Sequence, residues 1–177
     1  LDELKKITQL EILEKLTNDK IGLELFSIIF PEMKNIDIFS KLNSKKKEII
    51  KKADFVFMLS LMIIDETDNA DYFIYKFNLS KKDQKRIRNI SDFYKKKITS
   101  KTFTEKNLNL IFYHSGKETV LDILNYRILK TNKLDNNILA LISKFEIKSV
   151  PTMPFKADFL MSKYDIPEGK MLGEKLK

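Results

Sequence analysis

Eight cationic side chains fall within residues 81–97: Lys81, Lys82, Lys85, Arg86, Arg88, Lys95, Lys96 and Lys97. Ammonium and guanidinium groups at this density suit contact with phosphate, and Arg adds a planar fork that meets two phosphate oxygens at once. Arg86 and Arg88 stand out because Arg is otherwise nearly absent from the chain. Such a face would grip a phosphate backbone without reading bases. A solvated face in a Lys-rich protein has the same composition. The second anion-suited feature is the closing stretch 151–177, with three of the four prolines and two of the four glycines. Pro167 suits the first position of a helix, where its missing N–H would be an orphan anyway. Gly169 and Gly173 leave one side of the following turns bare, which opens backbone N–H groups and the positive helix end to a phosphate. Lys163, Lys170 and Lys175 add charge. The same glycines also suit close helix–helix packing.

Other chemistry is poorly supplied. His114 is the one histidine and there is no cysteine, so the parts of a catalytic triad or a thiolate–imidazole metal shell are missing. Asp65, Glu66 and Asp68 are the densest carboxylates and could hold Mg²⁺. They follow an apolar helix directly, in a loop without glycine, and read as an acidic loop. No Gly-rich loop of Walker or dinucleotide type occurs. The expectation is a chain with no catalytic residue and no metal site of its own.

Those features need elements to carry them. At 177 residues and 43% hydrophobic, the chain can bury a core as one domain or one plus a small appendage. A net charge of +8 favours an anionic partner such as RNA, DNA or an acidic membrane surface, although abundant Lys, Ile and Asn also follow from AT-rich coding. The absence of cysteine makes a reducing cytoplasm the default. The longest apolar run, Phe55 to Ile64, is roughly 15 Å long as helix, half a bilayer core; it reads as a buried helix. Leu4, Ile7, Ile12, Leu13 and Leu16 mark a first amphipathic helix. Thr17-Asn18-Asp19 breaks it and can cap a second, in which Ile21, Leu25, Ile28 and Ile29 share a face before Pro31 ends it. Asn43-Ser44 opens a long helix expected over Lys45 to Ile64. Ala70 to Phe77 is a short helix. Ser80–Asp83 is a capping box for a helix with Ile87, Ile90, Tyr94 and Ile98 inward. Phe93 and Tyr94 read as core. Thr102 or Thr104 starts the next helix, Ser115–Glu118 is a second capping box, and Asp135 or Asn136 starts a helix through Phe145. No stretch alternates like a strand. The fold class is all-α, an irregular array of roughly eight to ten helices.

The closing stretch also resembles a known motif. Pro154-Phe155-Lys156-Ala157-Asp158-Phe159-Leu160, followed by Ile166-Pro167-Glu168-Gly169-Lys170-Met171-Leu172-Gly173-Glu174-Lys175-Leu176, resembles the tail motif of bacterial tRNA nucleotidyltransferases, the CCA-adding enzymes and their poly(A) polymerase relatives. Ala157 stands where the family has a glycine before Asp-Leu, and Asp165 where it has one before Ile-Pro. Leu13–Leu16 leading to Leu23–Phe26 and Ile29–Glu32 looks like the family's segment after the neck. Residues 113–122 look like the helix junction of its body. The family's catalytic head, with a Gly-Ser turn and an Asp-x-Asp metal pair, and the Glu-Asp-x-x-Arg motif of its neck, are not among these 177 residues.

The resemblance implies the body and tail region of a class II tRNA nucleotidyltransferase: 1–42 the neck end and first helices, 43–150 the helical body, 151–177 the start of the tail. The start without methionine and the end inside a helical pattern read as a fragment. The implied partner is tRNA, gripped at acceptor arm and elbow, together with the missing head and neck of the same protein; no membrane role is expected. Mg²⁺, CTP and ATP would belong to the head. The expected RNA contacts are Lys81, Lys82, Lys85, Arg86 and Arg88 in the body and Lys163, Gly169, Lys170 and Gly173 in the tail. The rival expectations are a poly(A) polymerase relative and a helical protein-interaction module.

Overall fold

A computed structural model describes residues 2–95, 100–131, 135–149, 157–165 and 167–170. Among them are ten α-helices, two 3-10 turns and no strand, in accord with the all-α expectation. The order is α1 (Asp2–Ile7), α2 (Leu10–Asn18), α3 (Lys20–Ile29), a 3-10 turn (Ile36–Lys41), α4 (Ser44–Lys51), α5 (Phe55–Ile63), α6 (Asn69–Phe77) and α7 (Lys81–Lys95). A second 3-10 turn (Ser100–Phe103), α8 (Glu105–Lys130), α9 (Asn136–Ile147) and α10 (Ala157–Tyr164) follow.

Side-chain caps set most boundaries. Asp19 accepts from the Gly22 N–H, Asn43 from Lys46, Thr104 from Asn107 and Asp135 from Asn137. At α7 the Ser80 hydroxyl accepts from the Asp83 N–H at 3.2 Å, the first bond of the expected capping box, and donates to the Asp83 carboxylate at 2.7 Å, so Asp83 reaches back to the hydroxyl.

Two expected helices are divided. The stretch from Leu4 to Leu16 breaks at Thr8-Gln9, where the Thr8 hydroxyl donates to the Lys5 carbonyl at 3.0 Å. The single helix expected over Lys45 to Ile64 is two, α4 and α5. Asp54 takes the N-cap of α5 and accepts from the Phe57 N–H at 2.9 Å, and an Asp just before an apolar run is a helix start signal. The reverse happens at Ser115–Glu118, where α8 kinks at Gly116 (φ 85°) instead of ending. No described atom lies within 4 Å of where a Cβ would sit there, so the backbone angle is what calls for glycine.

The core is built around α5, whose residues from Phe57 to Ile63 are all buried, as is Ile64 after it. Leu13, Phe26, Phe39, Phe73, Ile87 and Ile90 close on it from the surrounding helices. This cluster runs without interruption across residue 42 and takes in Tyr126 and Leu129 of α8. A second cluster joins α8 to α9 through Phe112, Leu124, Ile142 and Phe145. The last carbonyls of α5 would be orphans. Asn35 donates to Met62 and Ile64, Asn69 to Ile63, and the Tyr126 hydroxyl to Ile64. On α3 the shared face of Ile21, Leu25, Ile28 and Ile29 points outward; Ile21 is 73% and Ile28 76% exposed. Leu23, Phe26 and Phe30 make the inward contacts instead.

Asp54 both caps α5 and pairs with Arg86, and two substitutions separate these roles. Asp54→Ala is expected to lower unfolding free energy in urea by about 1–2 kcal/mol through the lost cap. Asp54→Asn keeps a capping oxygen and should cost markedly less. Equal losses would assign the effect to charge alone.

Candidate nucleic-acid interface

The capping box fixes where α7 begins, and Ile87 and Ile90, both at 0% exposure, fix which side faces the core. With about 100° per residue, Lys81, Lys82, Lys85 and Arg88 are then exposed. Arg86 is turned toward α8. Its Nε donates to Asp122 at 2.6 Å and its Nη2 to the other oxygen of the same carboxylate at 3.0 Å. Its Nη1 meets Asp54 and, at 3.1 Å, Glu118. The side chain is 13% exposed and that of Asp122 only 8%.

The electrostatics follow from this crowding. Burial works against the Arg86 charge, yet hydrogen bonds to Asp122 and Asp54 more than offset it and its pKa is raised. Burial pushes the Asp122 carboxyl up, and Arg86 offsets that only in part. At Asp54 burial also pushes upward, but Arg86 and the Phe57 N–H prevail and hold it below the usual carboxylate range. The planar fork that suits phosphate is thus filled by carboxylates of the same chain.

The other basic residues divide into paired and open ones. Arg88 donates to Asp71 at 2.9 Å and to Gln84 at 3.2 Å. Lys95 pairs with Asp68 at 2.8 Å. Lys81, Lys82 and Lys85 have no ion pair among the described residues. All three lie in the first turns of α7, where the helix dipole adds positive potential. An exposed tripod of cations at a positive helix end can hold phosphate oxygens electrostatically, without base readout.

In the tail, α10 buries none of its side chains, and Lys163 lies over the rings of Phe159 and Tyr164 at 5.2 and 5.6 Å. Helical geometry begins at Lys170 and not at Pro167, which precedes a turn at Glu168-Gly169. Gly169 has φ 144° and Asp165 φ 51°. No described atom lies within 4 Å of a Cβ built on Gly169; its conformation, not close packing, is what requires glycine there. Gly173, Lys96 and Lys97 lie outside the described residues.

No family model, no curated protein and no solved structure matches the chain. Lys81, Lys82 and Lys85, without an ion pair among the described residues, are the expected contacts that the structure leaves exposed. Sequence reasoning missed the Arg86–Asp122 pair, which joins residues 36 apart, and the only local signal for it was Arg in place of Lys beside the inward Ile87. It also missed the burial of Lys46. The acidic loop is internally engaged: Asp65 accepts from the Thr67 N–H and hydroxyl and pairs with Lys34 at 3.1 Å. Among the described residues no group of His, Cys, Asp and Glu could hold a metal ion, and no helix is long and apolar enough to cross a membrane.

Arg86→Met leaves Asp122 buried without its partner and should cost about 3–5 kcal/mol near neutral pH. A carboxyl whose pKa is higher folded than unfolded binds more protons when folded, so its cost is present above the folded pKa and disappears below the unfolded one. Asp54, freed of Arg86, changes the same balance in the same direction. Urea unfolding from about pH 7 to about pH 4 should therefore show the gap between wild type and Arg86→Met narrowing toward acid. Adding Asp122→Asn to the variant should recover part of the loss at neutral pH.

Proposed function

We propose that this chain is the tRNA-gripping helical region of a tRNA nucleotidyltransferase-like protein. It comprises the end of the neck, the body and the start of the tail. Nucleotide addition, with its Mg²⁺, CTP and ATP, falls to a head that these 177 residues do not contain. The observation that carries the reading is the backbone of the tail. Where the resembling motif has glycine before Ile-Pro, this chain has Asp165, and Asp165 adopts φ 51°. Left-handed backbone is rare for side-chain-bearing residues, with Asp and Asn among the exceptions. Gly169, a motif glycine, also has positive φ. Positive φ at these two positions is backbone that glycine adopts readily, and this supports the reading.

In this proposal the body touches the tRNA backbone through Lys81, Lys82 and Lys85, with Arg88 at the edge. Arg86 holds the helix that presents them and makes no RNA contact. Lys163, Gly169, Lys170 and Gly173 form the tail's share of the contact. A poly(A) polymerase relative would use the same region on another RNA 3′ end. The reading as a protein-interaction module is favoured by one observation, the outward apolar face of α3 at Ile21, Leu25, Ile28 and Ile29.

Titration of labelled tRNA at two salt concentrations separates these readings. The proposal predicts micromolar or tighter binding at about 50 mM salt, falling steeply as salt rises. Replacing Lys81, Lys82 and Lys85 together by Ala should weaken binding and lower the log–log salt slope by about 2–3. No binding at low salt would reject the RNA reading in favour of the module.

A further inference from the structure

A second cationic cluster lies apart from α7, where the first 3-10 turn, the start of α4 and the end of α8 meet. They enclose a cavity of about 190 Å³, lined by Lys34, Lys41, Lys46 and Lys130 with Asp37 as the one carboxylate. Drug-sized ligand pockets run to about 300–1,000 Å³, so this one suits a small group.

Lys46 is the unusual member. It is only 7% exposed, and buried cations are normally paired with a carboxylate. Lys46 has no such partner among the described residues. Its ammonium donates to the carbonyls of Leu129 at 3.1 Å and Thr131 at 2.6 Å. Those two bonds cap the C-terminal end of α8, whose dipole supplies a partial negative charge. An ammonium has three donors, and the third has no acceptor among the described residues. Capping explains two bonds. It explains neither the third donor nor the gathering of Lys34, Lys41 and Lys130 on the same cavity. Lys34 is engaged by Asp65 at 3.1 Å. Lys41 and Lys130 have no ion pair among the described residues; Lys130 lies 5.7 Å from the Tyr126 ring and feels Asp65 and Asp37 at longer range.

We propose that this cavity is a binding site for a phosphate group, which accepts the third Lys46 N–H and is flanked by Lys41 and Lys130. The anion would complete the ion pairing of a buried cation and answer the positive charge of the rim. Burial now lowers the pKa of Lys46, and a bound anion acts in the opposite sense. The inference stands apart from the tRNA reading, since the phosphate can belong to an RNA backbone or to a small phosphate ester.

Thermal unfolding with inorganic phosphate replacing chloride at constant ionic strength tests it on the whole chain. Phosphate should raise the Tm of wild type. It should do the same for a Lys15→Met/Lys20→Met control, which removes equal charge from exposed positions elsewhere. In Lys41→Met/Lys130→Met, which spares the buried Lys46, phosphate affinity should fall about tenfold or more, one decade for each 1.4 kcal/mol of lost contact. Weaker tRNA binding by this rim variant would assign the site to RNA backbone; unchanged tRNA binding would assign it to a small phosphate ester. The proposal is overturned if phosphate stabilises wild type no more than chloride does, or if the rim variant keeps the full phosphate effect.

Discussion

One guanidinium joins three parts of this molecule. Arg86 of α7 holds Asp122 of α8 with two parallel hydrogen bonds and reaches Asp54, the residue that starts α5. The start of the core helix, the basic helix and the long helix are thereby fixed against one another. Such a pair adds little net stability compared with apolar packing of the same volume, but it is costly to break. Its consequence here is orientation. With Arg86 turned inward beside Ile87 and Ile90, Lys81, Lys82 and Lys85 are left exposed. The same residue that gives up phosphate contact determines which residues can make it.

The fold was legible wherever a short polar residue preceded an apolar period. Asp19, Asn43, Ser80, Thr104 and Asp135 all act at helix starts as their types imply. Asp54 carried the same signal and was overridden by the apolar continuity of the run after it. The kink at Gly116 and the break at Thr8 are local backbone choices that periodicity does not encode. Periodicity gives a helix its faces without saying which looks inward. On α3 the shared face of Ile21, Leu25 and Ile28 looks outward, while Phe26 and Phe30 take the inward place, their tilted rings leading on to Phe77.

The candidate site was legible only in part, for a different physical reason. Charge density along α7 is a property of sequence, but charge availability is a property of tertiary pairing. Asp68 and Asp71, from the α5–α6 loop and from α6, neutralise Lys95 and Arg88. Asp122, distant in sequence, takes Arg86. What remains open is the first turn and a half of the helix. Lys46 shows the converse, a surface-type residue drawn inside by the carbonyls at the end of α8.

The surface that results is divided in character: open lysines at the start of α7, a lysine-lined cavity beside the end of α8, and an apolar face on α3. The first of these bears the central claim, that the protein grips RNA through lysines held outward by an internally bound Arg86. Lysine reactivity measured by reductive methylation and mass spectrometry, with and without tRNA, tests it most directly. The account predicts that tRNA protects Lys81, Lys82 and Lys85, while Lys20 on α3 stays reactive. Unchanged reactivity at all three lysines in the presence of saturating tRNA would contradict it.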